Sequence, residues 1–97
     1  QDNEILFNFD QIICNPPFHK GLKVDFDLGK KFIIKSSEML KKKGSLLLVA
    51  NINMPYEKTL KDYFQIVELI SFNKNFKIIN AKSPIKKFFK NRGKLWE

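Results

Sequence analysis

Cysteine, histidine, arginine and glycine are all scarce in this chain, and each scarcity closes off a class of function. Of its 97 residues one is cysteine, Cys14, and one is histidine, His19. A single thiol excludes an internal disulfide framework and a cysteine-only zinc site, and with one histidine beside it no self-contained metal centre is expected. A reducing, cytoplasmic setting fits best. The four glycines, Gly21, Gly29, Gly44 and Gly93, never fall as Gly-x-Gly, so no glycine-rich loop for close backbone approach to a ligand is present. No apolar run is long enough to span a bilayer, and Gln1-Asp2-Asn3-Glu4 lacks the cationic stretch of a signal peptide.

What is there is lysine and apolar bulk. The chain is 43% hydrophobic and 13% aromatic, which suits one small packed domain and is too short for two. Its net charge is +8 from 18 basic and 10 acidic side chains. Most of that excess sits at the end, where Lys82, Lys86, Lys87, Lys90, Arg92 and Lys94 face Glu97 alone. A basic surplus favours polyanionic partners. Arg92 is the one arginine, however, and arginine is the better bidentate reader of phosphate and guanine, so charge by itself is a weak pointer to RNA.

Phe9-Asp10-Gln11-Ile12-Ile13-Cys14 reads as a strand, ended by Asn15-Pro16-Pro17 because proline cannot continue a ladder. Three consecutive apolar residues predict burial on both faces, as in a central parallel strand. From about Asp25 to Lys43 the spacing is helical, with Leu28, Phe32, Met39 and Leu40 on the expected buried face. Lys41-Lys42-Lys43 would complement the dipole and Gly44 would be the stop. Ser45 to Ala50 predicts a second apolar strand. After a loop over 51–54, Pro55 opens a short helix with Tyr56, Leu60, Tyr63 and Phe64 as core stripe and Glu57 paired to Lys61. Residues 66–72 and 76–81 flank Asn73-Lys74-Asn75 as a hairpin.

The expected fold is therefore α/β: parallel strands with crossover helices and a closing antiparallel hairpin. A first strand with two apolar faces needs neighbours on both sides, so the chain reads as the second half of a larger open α/β domain. The domain is expected over residues 1–83. Residues 84–97 would form a basic tail, either a solvated extension or an RNA contact, with Phe88, Phe89 and Trp96 as possible anchors.

Asn15-Pro16-Pro17-Phe18 falls at the carboxyl end of the first strand, the edge where open α/β sheets bind ligands. The spacing suits one particular task. The exocyclic amine of a nucleobase is a poor nucleophile because its lone pair is delocalised into the ring. The Asn15 side-chain oxygen and the Pro16 carbonyl could each accept one N–H of that amine, drawing its nitrogen toward tetrahedral geometry and aiming the lone pair at an electrophile. Pro17 keeps the pair rigid. Phe18 offers a flat face for the base, worth about 1–3 kcal/mol by analogy with single-strand binders. Asn51, after the second strand on the same edge, is either a turn residue or a site-lining one. Cys14 has no base or cationic cluster beside it and reads as a small buried hydrophobe.

This loop resembles motif IV of the class I, S-adenosylmethionine-dependent methyltransferases that modify amino groups. Asn15-Pro16-Pro17-Phe18-His19-Lys20-Gly21, with Val49-Ala50-Asn51, Met54-Pro55-Tyr56 and Phe72 to Ala81, is similar to the ribosomal RNA guanine-N2 type, small-subunit enzymes first and large-subunit ones second. The resemblance covers roughly residues 6–83. It implies a Rossmann-like domain and methyl transfer from S-adenosylmethionine to guanine N2 in 16S ribosomal RNA. Asn15 and Pro16 would hold the amine, Phe18 would stack on the base, and Asn15 would also lie near the cofactor's methyl group. His19 would contact the RNA or orient the loop. The implied partner is ribosomal RNA or the small ribosomal subunit, with no membrane and no metal, and the complete protein would be a monomer. The family's cofactor loop and the acidic residue that holds the ribose are absent, so these 97 residues alone are expected not to bind S-adenosylmethionine. Three rivals stand beside this reading: an adenine-N6 or glutamine methyltransferase, often with tyrosine where Phe18 stands; a non-catalytic RNA-binding remnant; and a plain structural fragment.

Overall fold

The longest apolar run, Leu46 to Ala50, lies in strand β2 (Leu40–Asn51), and its alternation divides the molecule. Leu46, Leu48 and Ala50 are buried beneath the helices, while Leu47 and Val49 point to the other face and are only half-buried. A computed structural model describes residues 9–18 and 23–86. His19, Phe88, Phe89 and Trp96 lie outside the described residues. The element order is β1 (Phe9–Cys14), α1 (Lys23–Met39), β2, α2 (Glu57–Tyr63), β3 (Phe64–Phe72) and β4 (Phe76–Pro84). The fold is mixed α/β, as expected. The four strands form one sheet in the order β1-β2-β4-β3, with β1 and β2 parallel and β4 antiparallel to both of its neighbours.

Ile33, Leu60, Phe64, Ile79 and Ala81 join Leu46 and Leu48 in a core on one face of the sheet, with Ile12, Cys14 and Val67 packed against it. Burying each large aliphatic or aromatic side chain there contributes about 1.5–3 kcal/mol. The opposite face, with Leu47, Val49 and Ile78 half-buried and Ile13 68% exposed, carries no helix among the described residues. Among the described residues the expectation that both faces of β1 are covered is thus not met: β1 lies at the edge of the sheet and packs on the core through Ile12 and Cys14.

Helix α1 differs from its expected form at the face and at the end. Its buried residues are Asp25, Gly29, Ile33, Ser36 and Ser37, whereas Leu28 and Phe32 are more than a third exposed. Small residues occupy the buried stripe because an aromatic side chain from another element fills the space above Gly29. Ser37 satisfies its own hydroxyl by donating to the Ile34 carbonyl at 2.6 Å. The helix stops at Met39, and Lys41-Lys42-Lys43 and Gly44 belong to β2. Lys86 supplies the missing cation instead, donating to the carbonyls of Ser37, Glu38 and Leu40. Burial holds its pKa below the ordinary lysine value, with Glu38 opposing.

The stripe Tyr56, Leu60 and Phe64 is buried and Tyr63 half-buried, as the spacing predicts. The pair Glu57–Lys61 does not form. Glu57 instead meets Lys77 of β4 at 2.8 Å, and Lys58 pairs with Asp62 along the helix. In β3 the register shifts between Leu69 and Ser71, leaving Ile70 as an extra residue on an edge strand, where bulges concentrate.

Candidate active site

Cys14 is paired with Leu48 in parallel register, so β1 and β2 deliver their carboxyl ends, and with them Asn15 and Asn51, to the same edge of the sheet. The antiparallel partner β4 starts there too, Phe76 opposite Asn51, and brings the hairpin turn alongside. The Ile52 N–H donates to the Asn75 carbonyl at 2.9 Å, tying the two loops together.

The four motif residues diverge in their surroundings. Asn15 is exposed, Pro16 is buried, Pro17 is half-buried and Phe18 is 38% exposed. A buried proline between an exposed amide and an exposed ring anchors a loop whose two functional groups face outward. That is the arrangement needed to meet a flat, amine-bearing base from solvent. His19 cannot be added, since it falls outside the described residues. Cys14 is half-buried and burial raises its thiol pKa, which keeps it protonated at neutral pH and leaves it a packing residue.

Asn51 serves the turn. Its side-chain oxygen accepts the Asn53 N–H at 2.9 Å, its carbonyl accepts the Met54 N–H at 3.0 Å, and the Met54 carbonyl accepts the Tyr56 N–H at 2.9 Å. Asn73 does the same in the hairpin, accepting from the N–H groups of Asn75 and Phe76, both at 2.8 Å. Two asparagines of this edge are therefore turn formers, whereas Asn15 stands exposed just past β1 with no such turn bond among the described residues.

Lys77 was not singled out by sequence, yet it is the buried cation nearest this edge, opposite Ala50 on the helix-covered face. Its partner Glu57 sits in the first turn of α2, where the dipole also favours a carboxylate. A lysine in the middle of an alternating strand was the available signal. Because Glu57 is half-exposed, the pair is worth less than a fully buried one. Glu57→Gln should lower stability by about 1–2 kcal/mol in urea unfolding, with Lys77→Met milder because it removes the buried charge itself. Equal losses in the two variants would show that the pair is not what matters.

No group of three or more His, Cys, Asp or Glu side chains comes together among the described residues, and no helix there is long and apolar enough to cross a membrane.

A parallel pair with a crossover helix, followed by a hairpin whose second strand inserts beside β2, defines part of a Rossmann-like methyltransferase sheet, with Asn-Pro-Pro-Phe at its ligand edge. The methyltransferase small domain model matches residues 2–80, and the chain belongs to that family. Among curated relatives, the ribosomal RNA small subunit methyltransferase C of Aeromonas hydrophila is 36% identical over 80 residues, which make up 82% of this chain and 23% of that protein. Its namesake from Hamiltonella defensa is 40% identical over 79 residues, 81% of this chain and 24% of the other. A solved 16S rRNA N2 methyltransferase of T. Thermophilus (RsmC), in complex with AdoMet and guanosine, superposes with a TM-score of 0.67 at 28% identity. The match covers 80% of this chain and 21% of that one. The chain thus spans about a quarter of the length of the relatives it matches.

Proposed function

We propose that this chain is the substrate-amine side of an S-adenosylmethionine-dependent methyltransferase acting on guanine N2 in 16S ribosomal RNA. The observation that carries the reading is the exposure of Asn15 and Phe18 around buried Pro16 at the carboxyl end of β1. It is supported by the likeness to a methyltransferase solved with AdoMet and guanosine. Asn15 Oδ1 and the Pro16 carbonyl accept the two N–H bonds of the guanine amine. Phe18 stacks on the purine and keeps it in plane with those acceptors, and His19 contacts the RNA or steadies the loop. S-adenosylmethionine, when bound, supplies the electrophilic methyl group. The amine proton released on transfer goes to solvent, since two neutral oxygens suffice to orient the lone pair and no strong general base is required.

The residues present fit half of the cofactor's needs. Asn15 would lie beside the methyl group, but the sequence holds no Gly-x-Gly for the rest of the cofactor. In the proposed division into a domain part, 1–83, and a basic tail, 84–97, Pro84 still closes β4 and Lys86 caps α1, and the basic residues beyond them add phosphate attraction. The uncovered sheet face around Ile13, Leu47 and Val49 would receive part of the remaining three quarters of the length that the relatives have outside the matched stretch. The complete protein acts as a cytoplasmic monomer on ribosomal RNA or the small subunit.

The test is a hybrid in which residues 2–80 replace the matching stretch of the Aeromonas hydrophila relative. The hybrid should bind S-adenosylmethionine and methylate guanine N2 in 16S RNA, read by mass spectrometry of nucleosides. The 97-residue chain alone should give no heat of binding with S-adenosylmethionine in calorimetry. A hybrid that binds the cofactor but methylates adenine, or nothing, would overturn the assignment, as would micromolar cofactor binding by the isolated chain.

A further inference from the structure

Tyr56 is 1% exposed, yet it belongs to neither a strand nor the body of a helix: it is the last residue of the turn between β2 and α2. Its ring crosses to α1 and stacks on Phe26, with centroids 5.5 Å apart and planes 27° from parallel. Its hydroxyl donates to the Asp25 carbonyl at 3.4 Å. It occupies the space that the missing Gly29 side chain leaves open. Burial first, then Asp25 and Cys14, raise its pKa, so the phenol stays a donor throughout the neutral range.

These contacts lie at both roots of one loop. Cys14 is the last residue before Asn15, and it packs against the cluster that contains Tyr56. Asp25 and Phe26 are in the first turn of α1, where the chain returns from the loop. A loop's geometry is set by the relative placement of its two ends, and here Tyr56 holds the α1 end directly while belonging to the cluster on which the β1 end packs. The turn that Asn51 builds leads into Tyr56, whose N–H donates to the Met54 carbonyl.

We propose that Tyr56 is a positioning residue for the Asn15–Phe18 loop, fixing the start of α1 against the end of β1 and thereby the spacing of the Asn15 amide, the Pro16 carbonyl and the Phe18 ring. The proposal rests on the reading of that loop as the guanine-amine holder. A shift of the loop by about 1 Å would cost up to about a hundredfold in transfer without touching the reacting atoms.

Deuterium uptake by the 97-residue chain tests it without any substrate. In Tyr56→Leu, peptides covering residues 15–30 should exchange about tenfold faster, while those from β2 and β4 change by less than about threefold. Tyr56→Phe, which keeps the stack and loses only a long hydrogen bond, should stay close to the parent. Phe26→Leu removes the stack from the other side and should reproduce the effect if Tyr56→Leu fails to fold. In the hybrid, Tyr56→Leu should lower kcat about tenfold or more with KM for RNA little changed. Uniform acceleration of exchange over the whole sheet would reduce Tyr56 to a core residue and overturn the proposal. So would faster exchange over 15–30 with kcat intact, an outcome that leaves the guanine reading standing. If the hybrid never modifies guanine, the exchange pattern still decides whether Tyr56 braces the loop.

Discussion

Asn15→Ala should cost the hybrid at least about a hundredfold in guanine-N2 methylation while leaving its affinity for S-adenosylmethionine within about twofold. The asymmetry follows from where Asn15 stands. It is the first residue past β1, exposed, and no hydrogen bond with the rest of the fold depends on its side chain among those described. On the proposed reading its removal therefore takes away the acceptor for the amine and little else. The lost interaction strengthens as the nitrogen pyramidalises, so the deficit should appear in kcat rather than in KM for RNA. Asn15→Asp sharpens the test. A carboxylate is also an acceptor of N–H bonds, so this variant should retain a measurable fraction of transfer that alanine does not. Pro16→Ala keeps the second acceptor, a backbone carbonyl, and loses only the restraint on it, so its loss should be smaller, about tenfold. Single-turnover assays with saturating cofactor separate these cases. Full activity in Asn15→Ala would refute the role of its oxygen, and a parallel loss of cofactor affinity would move Asn15 to the cofactor's side of the site.

The parts of this fold that were legible in sequence are those decided locally. Phe9–Cys14 stops just before two prolines and the hairpin turns on Asn73-Lys74-Asn75, both as their patterns place them. The stripe Tyr56, Leu60 and Phe64 is buried as its spacing predicts, but the helix itself is shorter, starting at Glu57 rather than Pro55 and yielding Phe64 to β3. The candidate site was legible for the same reason, since a strand end followed by Asn-Pro-Pro-Phe is a contiguous signal. What failed to show was decided by distant partners. The buried stripe of α1 runs through Asp25, Gly29, Ile33 and Ser37, and a hydrophobicity pattern prefers Leu28 and Phe32 because it cannot see a tyrosine arriving from residue 56. The end of α1 was drawn too late because Gly44 and three lysines look like a cap, whereas the cation comes from Lys86, well beyond the helix in sequence. Glu57 chose Lys77 over Lys61 because a buried ammonium demands a counter-charge more strongly than an exposed one does.

Gly29 offers the sharpest stability test of that long-range packing. By local propensity Gly29→Ala in a helix interior should stabilise by about 1 kcal/mol. Here the sign should reverse. A Cβ at this position would fall 2.8 Å from Tyr56 Cε1 and nearer still to Cζ and the hydroxyl, all parts of a flat ring with no bend to give. The ring must tilt out of its slot or the helix must lift, and overpacking of this kind costs about 1–3 kcal/mol. Since the ring is buried and stacked on Phe26, the upper end applies, and after the propensity gain the net loss should be about 2 kcal/mol. The background decides the cause. In Tyr56→Leu the three clashing atoms are gone, so adding Gly29→Ala should there be neutral or stabilising, a coupling of about 2–3 kcal/mol between residues 27 positions apart. Urea unfolding of the four chains reads it directly. If Gly29→Ala destabilises equally in both backgrounds, the glycine is required for the backbone rather than for Tyr56, and the brace between α1 and the β2–α2 turn loses its structural basis.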